Sequence, residues 1–218
     1  MKLKNVNYRL LDDNDFSEVA SLIANDYLPN EPILITLNST KKDAEKLTEI
    51  DVKPVLTLNA SYGAFDTESG ELVGISIVDI GKYKKSESHN SDVPLCIKQF
   101  IGIDEVLIGG SLKEYFGTNN YAYCSILCTK HEYTKQGIGT ELLRRTNKNA
   151  NNKKCENICV ITSSYYSEKI VRKIGYDSMI TVDYKDYVDP STGNKIYANI
   201  PSPHERITFW VKNLTRID

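Results

Sequence analysis

The chain has 218 residues, 40% of them hydrophobic, and a formal net charge of −2 at pH 7. That length and apolar content suit one sizeable domain, taken here as residues 1–218. The near-neutral charge gives no electrostatic basis for binding nucleic acid or an anionic membrane. No apolar run reaches the roughly 18 residues of a membrane span, and the first residues lack a secretion signal, so a cytoplasmic protein is expected.

Asn7 to Leu11 predicts a first strand. Asp12 to Asn14 offer N-caps, and Phe16, Val19, Ala20, Ile23 and Tyr27 recur at helical spacing. Pro29 and Pro32 are expected to end that helix and to leave Glu31 in a constrained loop. Asp43 to Ile50 reads as a second helix that stops before Pro54. Tyr62 to Asp66 and Glu71 to Ile80 predict a hairpin joined by Thr67-Glu68-Ser69-Gly70. The polar run 82–92 predicts a mobile loop, and Val93 to Tyr115 one or two helices that cover a sheet.

Tyr121 to Thr129 predicts a strand, followed by a short polar loop and an amphipathic helix from Ile138. A strand is expected at Ile158 to Thr162 and a helix over 164–174. Gly175 stands where a left-handed helix end favours glycine. Strands near Met179–Tyr184 and Arg206–Val211 follow, with a turn at 189–194 between them. The pattern predicts a mixed α/β (α+β) fold with a mostly antiparallel central sheet flanked by helices.

Five cysteines stand at 96, 124, 128, 155 and 159. An odd number without a secretion signal argues against a disulfide framework. The two Cys-x-x-x-Cys pairs, read as strand residues, place both thiols of a pair on one face but about 13 Å apart. They predict buried structural thiols and no metal site.

The richest stretch is Thr134-Lys135-Gln136-Gly137-Ile138-Gly139-Thr140, between the strand and the amphipathic helix. Strand, glycine-rich turn and helix start aim free backbone N–H groups at an anion, and glycine lets the chain approach a phosphate closely. The spelling excludes a P-loop, because no Lys-Ser/Thr follows the glycines. It also excludes a dinucleotide fingerprint, because Leu142 stands where the third glycine belongs.

These residues resemble the acyl-CoA loop of the GNAT acetyltransferase superfamily, written Arg/Gln-x-x-Gly-x-Gly/Ala. Gln136 to Thr140 match its later part, while Thr134 departs from its first position. Ile158 to Thr162, the following helix and Gly175-Tyr176 resemble the fifth strand and next helix of that superfamily. Within it, Tyr27-Leu28-Pro29-Asn30-Glu31-Pro32-Ile33 resembles the Glu-Pro motif of the insect-type arylalkylamine N-acetyltransferases, a group that includes dopamine and agmatine acetyltransferases. Ser163-Ser164-Tyr165-Tyr166-Ser167 is similar to that group's Ser-Ser-His-Tyr-Ser sequence. Val182 to Tyr187 and Pro203-His204 complete the likeness.

The resemblance implies acetyl-CoA as donor and a small-molecule amine as acceptor, in a monomer or weak dimer. Cofactor contacts would fall to Leu127, Thr129, Gln136, Gly137, Ile138, Gly139, Thr140 and Ser164, with a backbone N–H near Leu127 polarising the thioester. Glu31 would be the general base, Ser163 and Ser167 members of a Glu-Ser-Ser relay, and His204 a neighbour of the substrate. Many superfamily members place a tyrosine acid four residues before the helix-ending glycine. That position is Val171 here, which leaves Tyr166 as the alternative proton donor. A protein or peptide N-acetyltransferase and a non-catalytic acyl-CoA-binding module are the competing readings.

Overall fold

The computed structural model describes residues 5–81 and 92–215. The polar run 82–92 lies outside them, apart from Asp92. One seven-stranded sheet organises the chain, in the order β1-β2-β3-β4-β5-β7-β6. Its strands are β1 (Val6–Leu10), β2 (Tyr62–Asp66), β3 (Leu72–Ile80), β4 (Tyr121–Thr129), β5 (Asn157–Thr162), β6 (Asp177–Asp183) and β7 (Arg206–Asn213). Every neighbouring pair is antiparallel except β4 and β5, which run parallel. The hairpin of β2 and β3 closes where the Asp66 carboxylate accepts the Glu68 and Ser69 N–H groups, as an Asx turn requires.

Helices α1 (Phe16–Leu22), α2 (Pro32–Thr36), α3 (Lys41–Leu47) and α4 (Lys53–Leu56) pack on one face of the sheet through Leu22, Leu34, Leu47 and Leu56. On the same side follow α5 (Leu95–Ile101), α6 (Ile103–Ile108) and α7 (Leu112–Phe116). The opposite face carries α8 (Ile138–Asn152) and α9 (Tyr165–Lys173), with Leu142, Leu143 and Val171 turned inward.

The prolines act differently from the expectation. Past α1 the chain continues through a wide π-type turn at Ile23–Tyr27 and a 3-10 turn at Leu28–Asn30 that accommodates Pro29. Pro32 opens α2 at its first position, where its missing N–H costs nothing. The second expected helix also runs on, as α3, a second π-type turn at Thr48–Val52 and α4, with Pro54 inside the first turn of α4. Between 93 and 116 there are three short helices, because Gly102 and the left-handed Gly109 (φ 71°) divide the segment.

Strand β4 holds the feature that positions the site. Its pairing with β3 runs from Gly74↔Thr129 to Ile77↔Ile126, then resumes at Val78↔Cys124. Ser125 is the extra residue of a β-bulge. Side chains alternate along a strand, so the insertion swaps faces. Cys124 packs with the α8 side and Cys128 with the α1 side, in different clusters. The expectation of both thiols on one face is thereby corrected. Cys155 precedes β5 and is not a strand residue at all. The cysteines are all free thiols, and among the described residues no group of His, Cys, Asp and Glu could hold a metal ion.

Candidate active site

Glu31 is the N-cap of α2, with extended backbone (φ −87°, ψ 112°) as a residue before proline prefers. Its side chain is only 5% exposed. Oε1 accepts the Ile33 N–H at 3.2 Å, and Oε2 accepts the Ser163 hydroxyl at 2.8 Å. Burial pushes the carboxyl up to about 7, against the lowering effect of hydrogen bonds from Ser163, Ile33 and Tyr27. A carboxylate that ionises near neutrality suits a general base.

Ser163 follows the end of β5, which brings it to Glu31 across 132 residues of sequence. The Tyr184 hydroxyl holds it from behind by donating to the Ser163 carbonyl at 2.7 Å. Burial first, then the charge of Glu31, hold that hydroxyl well above its ordinary range, so it stays protonated as a donor. Thr162 is fixed as well, accepting the buried Trp210 indole N–H at 2.8 Å.

The other serines of the motif face elsewhere. Ser164 caps α9, accepting the Ser167 N–H at 3.1 Å. The Ser167 hydroxyl lies 2.9 Å from the Ser164 hydroxyl and 2.9 Å from its carbonyl. The expected Glu-Ser-Ser relay therefore reduces to Glu31 and Ser163, with Ser167 occupied in the helix cap. His204 Nδ1 accepts the Tyr165 N–H at 3.1 Å, which leaves the proton of the neutral ring on Nε2. Burial lowers the His204 pKa, which favours the neutral ring. Tyr166 is 61% exposed and packs edge-on against His204 at 5.9 Å. Val171 is buried in the core beneath α9.

A cavity of about 40 Å³ lies beside this group. The three partners of Glu31, namely Tyr27, Ile33 and Ser163, all line it, with Asp51, Phe100, Tyr123 and Ser125 among the remaining wall residues. The bulge explains Ser125, which follows Tyr123 onto the α1 face. Asp51, Ser125 and Tyr184 are the participants that sequence reasoning missed. Tyr184 lay inside a quoted motif. Asp51 and Ser125 carried no signal beyond their polarity.

The cofactor loop stands at the other end of β4. Pairing of β4 with β5 stops at Cys124↔Val160, and the strands separate beyond it. The Lys130 N–H bonds the Val73 carbonyl at 2.8 Å, which sets the phase of the β3–β4 ladder. Hydrogen-bonded and non-bonded pairs alternate, so the main-chain groups of Leu127 and Thr129 point away from β3 into the separation. After a 3-10 turn at His131–Tyr133, the chain enters α8 through Gly137 in the left-handed region (φ 82°). Its glycine N-cap supplies no side-chain cap, so first-turn N–H groups at Ile138, Gly139 and Thr140 are left for an anion. A Cβ on Gly137 would meet nothing within 4 Å, and one on Gly139 would meet Ile170 Cδ1 at 3.2 Å. A pyrophosphate fits against this uncapped terminus. The Gln136 side chain is directed back to the Glu132 carbonyl at 3.4 Å.

Residues 104–189 match the acetyltransferase (GNAT) domain family. No curated protein matches the chain by sequence. Among solved structures, arylalkylamine N-acetyltransferase 2 from Aedes aegypti superposes with a TM-score of 0.83 at 16% identity, covering 97% of this chain and 100% of that one. The polyamine N-acetyltransferase of Drosophila melanogaster, described as forming N-acetylagmatine, gives 0.74 at 17% identity over 96% and 100% of the two chains. The C-terminal condensation domain of Ebony, solved with beta-alanyl-dopamine, gives 0.79 at 14% identity over 96% and 99%. These identities speak for the fold, and the family match adds the signature of the segment that holds β4, α8 and α9. Residues 104–189 thus carry the match to the acetyltransferase (GNAT) domain family, and the chain as a whole shares the fold of these acetyltransferase structures.

Proposed function

We propose that the protein transfers the acetyl group of acetyl-CoA to the primary amine of a small arylalkylamine or related amine, by direct attack with both substrates bound. The observation that carries this reading is the Glu31–Ser163 pair, a buried carboxyl ionising at about 7 whose partners line a cavity with aromatic walls. Structures of the same fold that bear the names of arylalkylamine and polyamine acetyltransferases support it.

An alkylammonium substrate has a pKa near ~10, so only about one molecule in a thousand is nucleophilic at pH 7. Ser163 lines the cavity and donates to Glu31, so its oxygen takes the ammonium proton as its own proton passes to Oε2. Burial of Glu31 behind Ser163 keeps the base out of water. Acetyl-CoA supplies the activated acyl group. The first turn of α8 binds its pyrophosphate. The N–H groups of Leu127 and Thr129 meet the thioester carbonyl, where one such donor is worth about 3–4 kcal/mol in other acyl-transfer enzymes. Tyr166, with Val171 in the usual acid position, is the proton source for the departing thiolate.

Thiol release from acetyl-CoA across a panel of arylalkylamines, diamines and a lysine peptide tests this. Turnover with small amines is expected. Turnover with the peptide alone would transfer the reading to a protein acetyltransferase. Bound acetyl-CoA with no turnover would leave a binding module, the reading that Val171 favours.

A further inference from the structure

Two serines line the cavity beside Glu31, Ser163 after β5 and Ser125 in β4. The Ser163 hydroxyl is engaged with Glu31. Ser125 is half-buried, and among the described residues its hydroxyl has no hydrogen-bond partner. The bulge sets its direction. Cys124 packs with the α8 side and Ile126 with the α1 side, so Ser125 must share a face with one of them. Ser125 lines the cavity together with Tyr27 of the α1 side, so it shares the face of Ile126, with which it stands opposite Ile77.

Strand geometry brings Ser125 within reach of Ser163. Pairing of β4 with β5 stops at Cys124↔Val160, which makes Ile161 the counterpart of Ser125, and Ile161 lines the same cavity. Ser163 stands two residues further on, on the face of Ile161. The α-carbons of such a diagonal pair are roughly 8 Å apart before any splay of the strands. Hydroxyls turned toward each other from that spacing come to the separation of about 5 Å that one nitrogen needs to bond both at about 2.9 Å. A cavity of about 40 Å³ has room for about three water-sized groups, an amino nitrogen and the first carbons of its chain.

The chemistry gives the second hydroxyl a task. An ammonium that has passed one proton to Ser163 keeps two N–H bonds and a lone pair. Attack needs the lone pair on the thioester carbon, whose oxygen lies at the Leu127 and Thr129 N–H groups. The two N–H bonds then need two acceptors away from the acyl group. The Ser163 oxygen, with its own proton given to Glu31, is one. The Ser125 oxygen is the other. As the C–N bond forms and the C–S bond breaks, one of these protons leaves and the other remains on the amide. A secondary amine arrives with one N–H fewer. It sets a methyl group against the Ser125 hydroxyl, which then loses water without gaining a partner.

We infer that Ser125 contacts the acceptor nitrogen, orients its lone pair, and makes the enzyme select primary over secondary amines. The reaction it serves rests on the proposed function; the contact itself rests on the cavity.

The test pairs phenethylamine, tyramine and n-butylamine with their N-methyl derivatives, in wild type, Ser125→Ala and Ser125→Thr. Turnover is measured with acetyl-CoA, and amine binding by calorimetry on CoA-loaded protein. Wild type is expected to favour each primary amine by about tenfold or more in kcat/KM. Ser125→Ala should lower the primary amine about tenfold and the N-methyl amine far less, so that the ratio falls toward one. Ser125→Thr, which keeps the hydroxyl, should restore much of it. The limb of the pH–rate profile near pH 7 should stay in place in Ser125→Ala, because Glu31 and Ser163 are untouched, and equal melting separates the effect from a folding defect. A preference for primary amines that survives in Ser125→Ala would overturn the inference and assign the selection to the steric walls. Equal use of both amine classes by wild type would overturn it as well. Ser125-dependent binding of primary amines without turnover would sink the proposed function and keep the contact. No binding of any amine would remove both.

Discussion

Replacing Glu31 with Gln keeps the side-chain shape and removes the charge. The carboxyl ionises at about 7 in the folded chain against an ordinary 4.5, with burial as the main cause. A difference of roughly 2.5 pH units corresponds to about 3 kcal/mol. The sign follows from proton counts. Between pH 4.5 and about 7 the folded chain holds a proton on Glu31 that the unfolded chain has released. Wild-type stability therefore falls as pH rises through that window and is level above it. Glu31→Gln carries no such penalty. At pH 8 it should melt higher than wild type by up to about 10 °C, since about 3 kcal/mol is worth a few degrees per kcal/mol in a chain of this size. At pH 4.5 the two should melt together. Activity should move the opposite way, with kcat/KM lower by about 10²–10⁴-fold at pH 7 and the wild-type limb near pH 7 absent. Thermal melts and pH–rate profiles across pH 4.5–9.5 read both effects. A Gln variant that keeps the limb near pH 7, or that melts no higher at pH 8, would refute the assignment of a buried, neutral-range base.

Tyr184→Phe removes the donor that holds the Ser163 carbonyl. It should cost about 1–3 kcal/mol in urea unfolding and lower kcat more than it raises the KM for the amine; an unchanged kcat would show that Ser163 needs no such support. Gly137→Ala forces a side chain into the left-handed region at an open position. The strain should cost about 1–2 kcal/mol and weaken calorimetric CoA binding without altering the pH profile. Thr162→Val strands the buried indole N–H of Trp210. A loss of about 1–3 kcal/mol is expected, visible in denaturant unfolding followed by tryptophan fluorescence.

The regular framework was legible because its signals are local. Tyr121–Thr129 was expected as a strand and is one, and Gly175 does adopt the left-handed conformation, at φ 78°. The hairpin bounds agree within a residue of Leu72. What failed was decided by context. Pro32 can end one helix or begin the next, and only the buried Ile33 and Leu34 select the second. Ser125 gives no warning of a bulge, since a polar residue between Cys124 and Ile126 also fits plain alternation. The residues of the site divide likewise. Glu31 and Ser163 come together as the motifs implied. Ser167 does not join them, because a serine three residues past a serine N-cap is within reach of a closer partner. Asp51 gave no signal in sequence because its place in the cavity wall comes from the π-type turn Thr48–Val52, which no local pattern announces.

The bulge at Ser125 also bears on how this chain can vary. Ahead of it, the even-numbered residues of β4 face α8; beyond it they face α1. Substitutions along the strand change one contact at a time. Deleting a single residue there would turn the remaining half of the strand inside out, sending Leu127 and Thr129 into the α1 core and Ile126 and Cys128 to the opposite side. Length, more than spelling, is therefore what selection must hold constant in β4. Chains of this fold should vary at the half-buried positions of 121–129 more readily than in the count of residues between the Val78 and Gly74 pairings.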